Sequence, residues 1–457
     1  MFHDRTLAKQ ARAADPRPAS AVSAGAGLAG LAGLLGWTAV ALLFGMDGPY
    51  SALVNVLACA VPMVLWSLAV DKVHRNASTG IDWALRRPWR ESLDISLAKL
   101  AGLWATWALI GLAYGAIRAY WDGAFLFSMW VFAYAAPALF VLSIPYVLWL
   151  DRRLVEPRDG AWAFGAWLMG TAAPPREDLH GHLRSWTVKG FFLVFMIAVV
   201  PANYQGLIDA PFSWTDPVAF STFSIRFMFV VDVAFATVGY LLTMRPLDAH
   251  IRSANPFAAA WMAALICYPP FIMMDDGGPF DYRVGNYGED GWFHWFAGQD
   301  VLLWAIALAM VALTAIYAWA TVAFGLRFSN LTNRGILTHG PYAISRHPAY
   351  LAKNCYWWIG TLPMFTTGSI VDAARATILM AVVSGVYYWR ARTEERHLKL
   401  DPDYVAYWEW MERNGPVPRF FRWVLGDKSR SPSGERLGWG TPANAAPADS
   451  AHPQPLP

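Results

Sequence analysis

About ten stretches of roughly 20 mostly apolar residues dominate this chain, near 21–44, 51–70, 97–117, 125–150, 191–208, 223–244, 256–274, 301–324, 349–364 and 370–389. A helix needs about 20 such residues to cross the hydrocarbon core of a bilayer. No water is available there to satisfy backbone N–H and C=O groups, so an isolated apolar run of this length must bond internally, as a helix. With 56% of 457 residues hydrophobic and 15% charged, the expected fold class is all-α: a polytopic integral membrane protein of about ten transmembrane helices.

Basic residues orient the spans, because Lys and Arg collect in short cytoplasmic connections. Arg5, Lys9, Arg12 and Arg17 precede the first run; Lys72, Arg75, Arg86, Arg87 and Arg90 fill the second connection. Arg152, Arg153, Arg158, Arg176, Arg184 and Lys189 fill the fourth, Arg245 and Arg252 follow the sixth run, and Arg327, Arg334 and Arg346 follow the eighth. The alternate connections are acidic or neutral, notably 275–300, with Asp275, Asp276, Asp281, Glu289, Asp290 and Asp300 against Arg283. Both termini are therefore expected in the cytoplasm. The Ala- and Trp-rich composition fits a bacterial plasma membrane. A net charge of +3 gives no reason to expect nucleic acid, and anionic headgroups are the expected partners of the arginines.

Cys59, Cys267 and Cys355 stand singly, without the spacing of a disulfide framework or a zinc site. The first apolar run is long enough to span and lacks a cleavage signal, so it reads as a retained helix. Residues 1–295 are expected to hold seven spans and no recognisable chemistry. There Arg226 and Asp232 fall on different faces of one helix, and Pro269-Pro270 could break another. Beyond 425 the chain turns rich in Pro and Ala and reads as a disordered tail over 426–457.

Chemistry concentrates between Thr338 and Glu395. Pro348 suits a first helical turn, where its missing N–H has no intrahelical partner anyway. That makes His347 the cap and places Tyr350 three residues on, near free amides and a dipole end that favour an anion. One apolar hairpin later, Arg392-Thr393-Glu394-Glu395 returns to the same face. An Arg/His/Tyr group and two carboxylates can then surround one small charged molecule. The connection 325–338 reads either as a lid over it or as a polar surface link, and Lys353 and Asn354 should face the pocket rather than lipid.

In this order, Gly340-Pro341-Tyr342, Arg346-His347-Pro348-Ala349-Tyr350, Arg392-Thr393-Glu394-Glu395 and Asp403-Tyr404-Val405-Ala406-Tyr407 resemble the isoprenylcysteine carboxyl methyltransferase family and its phospholipid methyltransferase relatives, over about 301–423. Where that family usually has Gly, this chain has Ala352, a methyl that would narrow the cofactor's approach. The resemblance implies a methyltransferase domain over 296–425 and a pocket for S-adenosylmethionine at the cytoplasmic face, open to a lipid or lipid-modified acceptor, carboxylate or amine. It implies that His347, Tyr350, Glu394, Glu395, Tyr342 and Gly340 bind the cofactor, that Arg346 assists, and that Arg392 orients an acceptor carboxylate, with Arg392 and Arg346 as the catalytic pair. Two alternatives stay open. A sterol-reductase-like oxidoreductase using NADPH also has about ten spans, and a transporter or scaffold would use these motifs for capping and lipid binding.

Overall fold

A computed structural model describes residues 17–269, 271–274, 277–283, 291–365 and 369–424. The tail 426–457 lies outside the described residues, as do Arg5, Lys9, Arg12, Pro270, Asp275, Asp276, Glu289 and Asp290. In chain order the helices are α1 (Ala24–Phe44), α2 (Gly48–Ala69), α3 (Trp89–Ala116), α4 (Gly123–Asp151), α5 (Gly160–Leu168), α6 (Arg176–Ile208) and α7 (Pro217–Leu241). After β1 (Ser253–Ala254) come α8 (Ala258–Leu265), α9 (Trp292–Trp295) and α10 (Asp300–Val322). After β2 (Thr332–Asn333) come α11 (Pro348–Thr361), α12 (Ile370–Leu398), α13 (Pro402–Asn414) and α14 (Pro416–Val424).

Eight of these among the described residues are long and apolar enough to cross a membrane: α1, α2, α3, α4, α6, α7, α10 and α12. The protein is an all-α polytopic membrane protein. Side chains such as Leu43, Leu112, Tyr134 and Ile370 point outward, as lipid-facing residues do. Between α3 and α5 the backbones touch through glycine. A Cβ on Gly165 would stand 1.7 Å from the Ala98 carbonyl oxygen, and one on Gly102 2.1 Å from that of Ala161. This is the close approach that small residues permit where lipid, not water, surrounds the helices.

Two expected spans are not long helices, so the count of about ten is corrected to eight, six of them before residue 242. The apolar run at 256–274 yields only the eight residues of α8. The run at 349–364 yields the 14 residues of α11, closed by Leu362 at φ +44 and then Pro363. The residue before a proline is pushed out of the helical region, a boundary that a hydropathy window passes over. Fourteen residues rise about 21 Å, short of the roughly 30 Å core. Non-helical backbone survives at such depth only when protein covers it. Met274, Phe280 and Tyr282 accordingly pack with Met380, Val383 and Tyr387 of α12 and with Tyr350 and Trp357 of α11.

At one end of the bundle Trp292, Leu303 and Leu362 share an apolar cluster. At the other, β1 and β2 pair antiparallel, Ser253 with Asn333 and Ala254 with Thr332. The connection 323–347 at that end is locked inward by two buried arginines. Arg327 Nη2 donates to Asp248 at 2.7 Å, an aspartate that also accepts from Asn76 at 2.9 Å and Ser78 at 2.7 Å. Arg334 donates to the carbonyls of Ala249, Gly239, Phe328, Leu242 and Leu326. Burial, with the Arg327 charge beside it, pulls Arg334 down to about 9, so it stays cationic at neutral pH.

Candidate functional site

Three helices and the locked connection enclose a cavity of about 180 Å³ at this end. Each helix contributes one face at 3–4 residue spacing: Tyr317 and Thr321 from α10; Ala349, Tyr350 and Lys353 from α11; Tyr387, Arg390, Glu394 and His397 from α12. The connection supplies residues from Phe324 to Leu337, the segment before α10 supplies Asn255 and Tyr268, and α13 supplies Tyr404 and Tyr407. The 325–338 linker is thus a buried wall rather than a surface link.

His347 caps α11 and Pro348 is its first residue, with no side-chain cap hydrogen bond. The first intrahelical bond runs from Leu351 N to His347 O at 3.1 Å. The amides of Ala349 and Tyr350 precede it and have no intrahelical acceptor, and both residues line the cavity. The His347 ring lies parallel to that of Tyr350, centroids 5.7 Å apart. The Tyr350 hydroxyl donates to Glu394. Arg390, fully enclosed, stands 3.9 Å from Glu394 and over the rings of Tyr268, Tyr350 and Tyr387 at 5.1–5.5 Å. Its Nη2 donates to Asn330 at 3.3 Å, while its Nε is buried without a partner.

Glu395 does not face the cavity. It is a buried hub that joins Arg346 Nε at 3.0 Å, His347 Nε2 at 3.1 Å and Arg392 Nη1 at 3.1 Å; Arg346 also reaches Glu412 at 2.5 Å. Arg392 lies off the cavity, its side chain 56% exposed. Two residues is about 200° of helix, so the α12 face that carries Tyr387, Arg390 and Glu394 turns Arg392 away. Gly340 also lies off the cavity. It holds φ +59 with open space only up to the Trp319 ring, 3.3 Å from where a Cβ would sit. Of the sequence-derived residues, Arg346, His347, Tyr350, Glu394 and Tyr342 line the cavity.

Tyr342 packs its ring edge-on to Phe324 at 5.4 Å, and its carbonyl accepts from the Tyr407 hydroxyl at 2.7 Å. Burial, reinforced by Tyr407 and Glu394, pushes the Tyr342 hydroxyl well above its usual range. Burial and then the Glu395 charge raise Tyr404. Both remain protonated donors. Ala352 is buried and does not line the cavity, so its methyl leaves the pocket unobstructed.

Sequence reasoning missed Arg390, Tyr317, Thr321 and the place of Asp232. Asp232, from α7, accepts from the hydroxyls of Tyr317 at 2.6 Å and Thr321 at 2.5 Å. Arg226, on another face as expected, instead caps the end of α6 through the Gly206 carbonyl at 2.6 Å. The signal for Arg390 was available, since it sits four residues before Glu394 and three after Tyr387.

Residues 300–400 match the model of the Isoprenylcysteine carboxyl methyltransferase (ICMT) family. No curated protein and no solved structure matches the chain. Members of that family are S-adenosylmethionine-dependent carboxyl methyltransferases, and the matched segment holds α10, α11 and α12 with most of the cavity wall. The C-terminal region is accordingly that of a methyltransferase enzyme whose cofactor is S-adenosylmethionine.

Proposed function

We propose that this protein methylates a lipid or lipid-modified acceptor carboxylate of the isoprenylcysteine type, in the cavity between α10, α11 and α12, at the cytoplasmic face of the membrane. The carrying observation is that one cavity joins two open amides at a helix start to an acidic side chain and a wall of aromatic rings. The residues fit S-adenosylmethionine. The free amides of Ala349 and Tyr350 suit a carboxylate, and Glu394, steadied by Tyr350, suits an ammonium or ribose hydroxyls.

When bound, S-adenosylmethionine supplies a sulfonium-activated methyl that an ionised carboxylate accepts without any proton transfer. The protein's task is therefore placement and exclusion of water. Tyr350 and Arg390 hold Glu394 in one orientation, and the Glu395 hub fixes Arg346 and His347 at the helix start. Tyr342 and Tyr407 close the rim. Arg392, taken from the sequence as the orienter of the acceptor, acts in this reading on Glu395 instead. Gly340 shapes the turn into the motif without touching ligand. The region 1–295 covers the cavity from the side of Asn255 and Tyr268, and it and the methyltransferase region remain the two proposed divisions of the chain.

Calorimetry on the detergent-purified full chain tests this reading with S-adenosylmethionine and NADPH separately. Saturable S-adenosylmethionine binding, weakened at least tenfold in Glu394→Ala and His347→Ala, is the expected result. Binding of NADPH in its place would move the protein to the reductase class.

A further inference from the structure

Among the described residues, the cations that line the cavity differ in how they are balanced. Arg327 meets Asp248 at 2.7 Å, Arg346 meets Glu395 at 3.0 Å and Glu412 at 2.5 Å, and Arg390 stands 3.9 Å from Glu394. Arg334 has backbone carbonyls in place of an anion. Lys353 has neither. Its ammonium lies 5.0 Å from the Trp357 ring centroid and 5.6 Å from those of Tyr317 and Tyr387, with no carboxylate within 4.0 Å.

Aromatic faces attract a nearby cation through their ring quadrupoles, which holds the ammonium in place but leaves its three N–H donors without an acceptor. A partly buried ammonium without a direct ion pair gains from one, and the cavity that Lys353 lines can supply the anion. The Tyr317 ring is itself fixed, its hydroxyl bound to Asp232 at 2.6 Å. Lys353 follows Ala349 by four residues on the same face of α11, about 6 Å deeper into the protein. An anion at Lys353 would thus lie one helical turn inward from the open amides.

We propose that Lys353 anchors the acceptor's carboxylate and so sets the enzyme's preference for acidic lipids over their neutral amides. The inference rests on the methyl-transfer reading above. It assigns to Lys353 the role that the sequence suggested for Arg392, and it gives Asp232, a residue of the N-terminal spans, a positioning role through Tyr317.

The test uses S-farnesylcysteine and its carboxamide as probes, with the full-length protein in detergent. Probe binding to the S-adenosylmethionine-loaded enzyme is followed by tryptophan fluorescence, and turnover of the acid by transfer of labelled methyl. Wild type should bind the acid at least tenfold more tightly than the amide. Lys353→Met should weaken binding of the acid and raise its KM ten- to a hundredfold, leaving amide binding and S-adenosylmethionine affinity within threefold. Lys353→Arg should restore most of the preference. Equal affinity of wild type for acid and amide, or an unchanged acid affinity in Lys353→Met, would overturn the assignment. Failure of the wild-type protein to bind S-adenosylmethionine by calorimetry would instead overturn methyl transfer itself, so the two failures are distinguishable.

Discussion

Glu395 and Arg392 share a salt bridge, yet their removal should have very different consequences. Glu395 is 3% exposed and holds Arg346, His347 and Arg392 at 3.0, 3.1 and 3.1 Å. The pair with Arg392 is half in solvent and contributes about 0–1 kcal/mol. The bonds to Arg346 and His347 are sheltered, and a hydrogen bond to a charged group contributes about 1.5–3 kcal/mol. Arg346 keeps Glu412 at 2.5 Å, which limits its loss. Glu395→Ala should therefore cost about 3 kcal/mol in the order of the helix start. If that cost is recovered on cofactor binding, S-adenosylmethionine affinity falls about a hundredfold, at 1.4 kcal/mol per decade. Glu395→Gln keeps an acceptor and should lose about tenfold, whereas Arg392→Ala should lose less than about fivefold. Calorimetric titration of the three variants with S-adenosylmethionine gives the ranking directly. An Arg392→Ala loss as large as that of Glu395→Ala would refute the reasoning, because it would place Arg392 at the ligand rather than behind Glu395.

Tyr350→Phe removes the hydroxyl that donates to Glu394 and should weaken S-adenosylmethionine binding by about tenfold, read by the same titration. Gly340→Ala must hold φ +59 with a side chain beside Trp319, which should lower stability by about 1–2 kcal/mol; thermal unfolding in detergent checks it. Gly165→Leu should separate α3 from α5, since even a Cβ would stand 1.7 Å from the Ala98 carbonyl, and loss of a monodisperse size-exclusion peak is the expected sign. For a carboxylate acceptor, kcat should be flat between about pH 6 and 9, because such a group is already ionised above about pH 5. A rise with pH would point to an amine acceptor that must first lose a proton.

The motif was legible because polar residues in an apolar chain need a reason, and the helix start at Pro348 followed from proline chemistry alone. The span count was less so. Hydropathy registers that 256–274 and 349–364 are apolar, but not that Leu362 turns left-handed before Pro363 or that Met274, Phe280 and Tyr282 cover the non-helical stretch. Arg392 was preferred to Arg390 on motif resemblance, although helix phase relative to Tyr387 and Glu394 favours Arg390. Asp232, Tyr317 and Thr321 come from α7 and α10, and their convergence depends on how two distant helices pack, which periodicity within either helix does not encode.

Arg334 and Arg327 carry a consequence for modularity. The wall of the cavity between α10 and α11 takes its shape from acceptors that belong to an earlier part of the chain: the Asp248 carboxylate and the carbonyls of Gly239, Leu242 and Ala249. A fragment limited to the family-matched 300–400 would leave two enclosed guanidinium groups facing none of them. The catalytic segment is in this sense a graft that cannot be lifted out. Transplanting it into another membrane protein would require moving the 239–249 stretch with it, and the two would have to evolve together.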